Sequence, residues 1–527
     1  MESDDEARPP RDERLIASVG AIEDSGNLKM QMVNTDIGAH ALRCGQSVAL
    51  RGAGRSLTYA ELVNEAERVA GRLTALGVTR DTPVAVLCEN RIDVMLLYYA
   101  VGKMGGTFIP VNPSLTAPEV AYILEHGDVA VLLHDEKMAP IAVAAHDQCS
   151  SGRLVHLESF RETEPAEFSV GVLPPQDNFL IVYTSGSTGK PKAVIFDQEA
   201  EVAGNRSLIE MWGMSAADVT VVALPLGFLY GLSTAAATAL QAGGEVVVMR
   251  RFHPREVLEA FVQHRATVFQ GVPTMFAMML EYAEQNNVDI DLSSMRLLIS
   301  AGAPLSRELR GRFERKFKKR IDDYYAMTEV RPVFGRYFDD ATPVPETAIG
   351  KQAPGVKISI VDGTGAEVRE GEVGELLVRA PSTTRGYLKN EALSKELFVD
   401  GMLRTGDLGY RDANGYYYLT GRIKDIIIRG GANIAPAEVE DVLATHPAVQ
   451  SVAVIGVPDE KFGQLVAAYV VGREGTFNDD ELRAFCSQRL ADFKVPSYFV
   501  RSVSLPLGVT GKVDKASLLR YWMEGNR

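Results

Sequence analysis

The sequence predicts an α/β protein with three textures: a large N-terminal domain of parallel-rich sheets with helices, a small β-rich subdomain, and a small α+β C-terminal domain. Three observations predict it. From about residue 55, short apolar runs alternate with stretches of helical periodicity, the pattern of parallel strands joined by crossover helices. After residue 345, short strands and Gly-punctuated turns take over, as in GEVGELLVRA and GYYYLTGR. After residue 422 the chain returns to a compact mixture of strands and helices. The expected organisation is a tail over 1–30, a large domain over 31–421 and a small domain over 422–527.

Taken in order, the opening MESDDEARPPRDER is charged and proline-containing, which predicts a disordered tail and not a signal peptide. Thr58 with Glu61 reads as a capping box. Leu62, Ala66, Val69, Ala70, Leu73 and Leu76 follow with helical spacing, and Gly77 is the stop. Buried strands are expected over 84–88, 107–111, 129–134, 180–183, 245–249, 267–270 and 297–300, mostly separated by helical segments. In the small domain a helix is expected near 436–445, strands near 451–456 and 465–471, and a helix near 479–490. Ligands in such sheets sit beyond the carboxyl ends of the strands.

The bulk numbers exclude several functions. A chain of 527 residues is too long for one core. Its net charge of −14 argues against broad nucleic-acid binding, which needs a basic face. The four cysteines, Cys44, Cys88, Cys149 and Cys486, lie far apart with no C-x-x-C, so buried thiols in a reducing, cytoplasmic compartment are expected. The eight histidines show no zinc spacing. No apolar run reaches the roughly 18 residues of a membrane span.

One loop carries chemistry on its face. In YTSGSTGKPKAV (183–194), Gly186 and Gly189 free the backbone, Thr184, Ser185, Ser187 and Thr188 bring hydroxyls, and Lys190 and Lys192 bring positive charge. That mixture suits phosphate. It is not a Walker A loop, because Thr184 stands where the first Gly belongs and Pro191 follows Lys190. Pro191 disfavours a helix through Lys190, so the loop should link strands over 179–183 and 192–196. A flexible polar surface turn has the same composition, and other motifs decide between the two.

Those motifs are SAGAPLS (300–306), YYAMTE (324–329), LRTGDLGY (403–410), GRIKDIIIRGGANIAPAEVE (421–440) and TGKVDK (510–515). With the loop, and in this order, they make residues 40 to 520 resemble the adenylate-forming superfamily of acyl-CoA synthetases, adenylation domains and luciferases. The resemblance implies an AMP-forming acid–thiol ligase that uses ATP, Mg²⁺ and coenzyme A. A carboxylate attacks the α-phosphorus of ATP and expels pyrophosphate; a thiol then takes the acyl group and releases AMP.

It also implies roles for particular residues. Thr184, Ser185, Gly186, Ser187, Thr188, Gly189 and Lys190 grip the β- and γ-phosphates. Glu329 holds Mg²⁺, Thr328 bonds the α-phosphate, and Tyr325, followed by Ala326, stacks on adenine. Ala301, Gly302, Ala303 and Pro304 form a backbone edge against the base. Asp407, in an expected turn, accepts the ribose hydroxyls, with Arg422 as a further donor. Lys512, on a small domain that the resemblance makes mobile, contacts the substrate carboxylate and α-phosphate. Lys424 is the hinge, and Gly430 and Gly431 line the pantetheine path.

The segment LPLGFLYGLS (224–233) matches the acyl pocket, with Gly227, Phe228, Tyr230, Gly231, Gly271, Ser300 and Ala301 as its candidate lining. Gly227 replaces an aromatic, and Phe228 stands where many members carry His. No acid lies between Val219 and Gln241 to pair a substrate ammonium, so an amino acid is not expected. Small residues over 233–239 and at Gly271 suggest a roomy apolar pocket for a hydrophobic carboxylic acid, or else a packed helix. Ala193, Ala326 and Gln464 depart from the usual pattern without removing a catalytic charge. Alternatives are an acyl-AMP ligase that only adenylates or that serves an acyl carrier protein or partner enzyme, a luciferase-like oxygenase, and a non-catalytic nucleotide-binding module.

Overall fold

The computed structural model describes residues 32–80, 82–149, 152–167, 178–184, 191–340, 342–473, 478–508 and 513–525. The expected tail over 1–30 lies outside them. The chain forms two compact units. The first comprises Met1–Tyr183, Ala193–Ile209 and Met214–Arg251, and the second Thr184–Lys192, Glu210–Gly213 and Phe252–Arg527. The expected boundary at 421/422 falls inside the second unit.

In the first unit, strands pair in the order Arg153–His156, Val131–His134, Pro83–Leu87, Thr107–Val111, Leu180–Thr184 and Lys192–Phe196. The first five are parallel, with Ala85 opposite Ile109 on one side and Leu132 on the other. Val84, Ala85, Val86 and Leu87 are all buried. A strand covered on both faces needs apolar side chains on both, so it reads as a continuous run and does not alternate. A second set, Val219–Val222, Glu245–Val248 and Val48–Gly52, is also parallel, and Arg55–Thr58 turns back on Val48–Gly52. Ala53 (φ 49°) and Gly54 (φ 75°) form the two-residue turn, both left-handed as the twist of a hairpin asks.

The helix Tyr59–Ala75 follows at once. Its capping box is complete: Glu61 N–H donates to Thr58 Oγ1 at 3.3 Å, and Thr58 N–H to Glu61 Oε2 at 2.8 Å. Leu62, Ala66, Val69, Ala70 and Leu73 form its buried stripe, and Gly77 leaves it at φ 84°.

In the second unit, Val268–Gly271, Leu297–Ser300 and Asp322–Met327 run parallel. The chain then switches to antiparallel pairing through Val330–Gly335, Gly350–Gln352, Tyr416–Arg422, Met402–Arg411, Gly374–Arg379 and Lys357–Val361. This is the expected β-rich subdomain. At Ile423–Asp425 a single 3₁₀ turn leads out of that sheet, and Ile427–Arg429 joins a different one.

The smaller sheet holds Ala432–Ile434, Ile427–Arg429, Gly463–Gly472 and Val449–Asp459, with Tyr498–Arg501 beside Gly463–Gly472. Its long strands alternate with period two. Val454, Val466, Ala468 and Val470 face Val439, Leu443 and Leu482, from the helices Pro436–Ala444 and Asp479–Ser487. Ala453, Ile455, Ala467 and Tyr469 face Leu518 and Trp522, from the helix Lys515–Met523. The whole is the mixed α/β fold that the alternation of elements predicts.

All four cysteines are free, but only Cys88 and Cys486 are buried. Cys44 and Cys149 are partly exposed, which corrects the expectation of buried thiols; Cys44 is the last residue of the helix Val33–Cys44, and Cys149 lies in the chain that follows the helix Ala139–His146. Among the described residues, no helix is long and apolar enough to cross a membrane.

Candidate active site

Strand Asp322–Met327 leaves the parallel set and turns through Thr328-Glu329 into Val330–Gly335. Tyr325 lies opposite Phe334, and their rings stack at 4.7 Å and 25°. Phe334 stacks in turn on Tyr417 at 5.1 Å. The Tyr325 hydroxyl donates to Asp407 Oδ2. Asp407 is only 3% exposed, and Arg422 reaches its other oxygen, Nε to Oδ1, at 2.7 Å. Burial and the Asp407 charge push the Tyr325 phenol well above its ordinary range, so it stays a donor.

Asp407 is not in a turn, as expected from Arg-Thr-Gly-Asp. It lies within the strand Met402–Arg411, directly opposite Arg422 on Tyr416–Arg422. Gly406 (φ 68°) explains the difference: it bends the strand without ending it, near a register shift against Gly374–Arg379. Asp407 N–H then donates to Thr405 Oγ1 at 3.0 Å, and Thr405 Oγ1 donates to Leu376 O at 2.8 Å. Phe334 covers one face of the Tyr325 ring, which leaves a single face for the expected adenine contact.

Glu329 is partly exposed and accepts a hydrogen bond from the Tyr387 hydroxyl at 2.7 Å. Its carbonyl accepts from Thr384 N–H at 2.8 Å. Lys192 Nζ lies 5.2 Å from the centre of the Tyr387 ring. Burial and the neighbouring Glu329 charge raise the Tyr387 phenol pKa. Among the described residues, no group of three or more His, Cys, Asp or Glu side chains could hold a metal ion by itself. One oriented carboxylate, completed by substrate phosphates and water, is the environment Mg²⁺ takes.

The base-edge candidates follow the strand Leu297–Ser300 as expected. Ala301 N–H donates to Gly271 O at 3.2 Å, and Gly302 turns the chain at φ 87° toward Ala303 and Pro304. Ser300, Ala301 and Gly271 belong to the second unit; Gly227, Phe228, Tyr230 and Gly231 belong to the first.

The acyl segment shows why its glycines are there. A Cβ on Gly227 would fall 2.6 Å from Asn112 Cα and 2.7 Å from Val111 O. On Gly231 it would fall 2.4 Å from Pro225 O, and on Gly271 3.0 Å from Phe269 Cε1. These three positions are filled by close packing and add no room, which at Gly271 corrects the expectation of space drawn from its size. Residues 230–241 form a buried π-helix, Tyr230–Ala237, continued by Thr238–Gln241. Ser233 donates to Glu201, and Thr238 to Asn205 at 3.0 Å. Of the two readings of the small-residue run, the structure gives the packed helix. Asn90 ties the segment down: it donates to Leu224 O at 2.8 Å and accepts from Leu226 N–H at 2.7 Å. Leu226, Leu229 and Leu232 are buried, whereas Phe228 and Tyr230 stay partly exposed.

Residues 38–388 match the AMP-binding enzyme family, and residues 438–512 match the AMP-binding enzyme C-terminal domain. The chain belongs to the AMP-binding enzyme family. Feruloyl-CoA synthase from Amycolatopsis sp is 33% identical over 481 residues, covering 90% of this chain and 96% of that protein. 2-Succinylbenzoate–CoA ligase from Bacillus licheniformis is 33% identical over 468 residues, covering 88% and 94%. The crystal structure of ATP-bound MatB from Rhodopseudomonas palustris superposes with a TM-score of 0.86 at 30% identity, covering 94% and 100%. This family member is an AMP-forming acid–CoA ligase that uses ATP and CoA.

Ser185, Gly186, Ser187, Thr188, Gly189, Lys190 and Lys512 lie outside the described residues. Thr184 closes the strand that enters the loop, and Lys192 opens the one that leaves it. Lys424 is in the 3₁₀ turn Ile423–Asp425. Gly430 (φ 58°) and Gly431 (φ 87°) form the tight turn between Ile427–Arg429 and Ala432–Ile434. Gln464 Oε1 accepts from Ile428 N–H at 2.8 Å, so the departure at that position braces this hairpin. Tyr387, Thr384 and Phe334 are the contacts that sequence reasoning missed. The one signal was Gly386 before Tyr387: Gly386 has φ 133°, and a Cβ there would meet Ser394 Oγ at 2.6 Å.

The packing at Gly227 gives a direct test. Gly227→Ala should lower stability by about 1–3 kcal/mol, because both obstructing groups are backbone. Chemical denaturation of the variant checks this, and an unchanged midpoint would contradict the close approach.

Proposed function

We propose that this ligase activates a hydrophobic carboxylic acid, aryl or medium to long chain, and passes it to CoA. The observation that carries the substrate class is the acyl segment: Phe228 and Tyr230 are its partly exposed side chains, and no acid lies between Val219 and Gln241. Feruloyl- and 2-succinylbenzoate-activating relatives support an aromatic acid within that class. The reading carries with it a cytoplasmic location, where ATP and CoA are at hand, and the domain boundary at 421/422.

In the first step, a substrate carboxylate oxygen attacks the α-phosphorus, an O–P bond forms, and the bond to pyrophosphate breaks. The difficulty is electrostatic, since an anion approaches a polyanion, and catalysis is positioning plus charge neutralisation. Thr184, Ser185, Gly186, Ser187, Thr188, Gly189 and Lys190 hold the β- and γ-phosphates. Thr328 bonds the α-phosphate, Asp407 accepts the ribose hydroxyls with Arg422 orienting it, and Tyr325 and residues 301–304 flank the base. Glu329 would hold Mg²⁺, which supplies positive charge to the phosphates. Lys512 bridges the acid and the α-phosphate. In the second step, the CoA thiolate attacks the acyl carbonyl, a C–S bond forms, and AMP leaves. Rotation about Lys424 withdraws Lys512 and brings Gly430 and Gly431 to the pantetheine.

ATP–pyrophosphate exchange across a panel of acids, followed by a CoA test, decides the reading. Exchange with hydrophobic acids and not with amino acids is the expected result. Adenylate without thioester would point to an acyl-AMP ligase serving a carrier-protein thiol or partner enzyme. Lys512→Ala should slow adenylation by roughly 10²–10³-fold, measured by pyrophosphate release. Gly430→Leu should preserve pyrophosphate release and abolish thioester formation; parallel loss of both activities would contradict the assigned path.

A further inference from the structure

The Tyr387 hydroxyl is placed to do more than fill space. The residues before it build a rigid loop. Thr384 is 3% exposed, and its N–H donates to Glu329 O at 2.8 Å. Thr384 Oγ1 both accepts from Gly386 N–H and donates to Gly386 O, each at 3.1 Å. Tyr387 N–H donates to Ser394 Oγ at 2.9 Å, on the short helix Glu391–Glu396. The backbone of Tyr387 is therefore fixed from both sides.

Its side chain is fixed as well. Lys192 Nζ lies 5.2 Å from the ring centre, on the strand that leaves the phosphate-type loop. A cation over the ring face holds its plane. The hydroxyl donates to Glu329 Oε1 at 2.7 Å. A carboxylate has two oxygens, and a donor fixed on one orients the other.

We propose that Tyr387 is a positioning residue for the Mg²⁺·ATP complex: it pins Glu329 Oε1 and so fixes the carboxylate that would hold Mg²⁺. The inference rests on the reading of Glu329 as the Mg²⁺ carboxylate. An outer partner that orients a ligating carboxylate normally contributes roughly 10- to 100-fold to metal affinity.

The test is ATP binding to the full chain by titration calorimetry, over a series of Mg²⁺ concentrations and with Mg²⁺ chelated. Tyr387→Phe keeps the ring and removes only the hydroxyl. It should raise the half-saturating Mg²⁺ concentration by roughly 10- to 100-fold, with the same metal-free ATP affinity and the same melting temperature. Tyr387→Leu removes ring and hydroxyl together; a shift in Tyr387→Leu alone would assign the effect to packing and overturn the proposal. Glu329→Gln separates the two layers. If it loses the Mg²⁺ dependence while Tyr387→Phe retains it, only the role of Tyr387 falls. If Glu329→Gln keeps the dependence of the unmodified chain, the metal reading falls and the inference with it.

Discussion

A carboxylate with 3% exposure, such as Asp407, needs compensation for the water it has lost. Arg422 and Tyr325 supply it, and they come from two other strands. The site of the second unit depends on this one arrangement. Tyr325 belongs to the strand that leads into the turn at Thr328 and Glu329, Asp407 lies on its strand just after the Gly406 bend, and Arg422 stands at the last position before the chain leaves the sheet. Of the ion pair only Asp407 is buried; the Arg422 side chain is 43% exposed, so solvent screens that half of the pair. The constraint is the buried carboxylate, which ties the three strands together in one register. Arg422 shows the balance: burial alone would lower its pKa, but the charge of Asp407 outweighs that and raises it.

Close backbone approach plays the same part in the first unit. Gly227 and Gly231 leave no space for a methyl group, and Asn90 satisfies a carbonyl and an amide of the residues just before them, Leu224 and Leu226. The segment is thus held by its backbone, and Phe228 and Tyr230 are its partly exposed aromatic side chains.

Much of this was legible in the sequence, and the parts that were not share a cause. Continuous apolar runs placed the strands Thr107–Val111 and Leu297–Ser300 to the residue, because burial on both faces leaves no other composition. The capping box at Thr58 was legible because its contacts are three residues apart. Asp407 was misplaced because Gly406 can end a strand or bend it, and only the partner strand decides. The close packing at Gly227 was not legible because a missing side chain looks the same whether the space is empty or taken by Asn112, far away in sequence. Tyr387 went unseen for a like reason: its partners, Glu329 and Lys192, are remote in the chain, and nothing local separates it from an ordinary loop aromatic.

The charges explain how an acidic chain can hold a triphosphate and an acid together. In a chain of net charge −14, two bare carboxylates at the site would repel both substrates. Neither is left bare. Asp407 shares its charge with Arg422 at 2.7 Å, and Glu329 is bonded by a phenol that in turn lies under Lys192. Each carboxylate is therefore an oriented acceptor with a partner fixed on one of its oxygens, and in both cases a cation stands close by, Arg422 beside Asp407 and Lys192 over the Tyr387 ring.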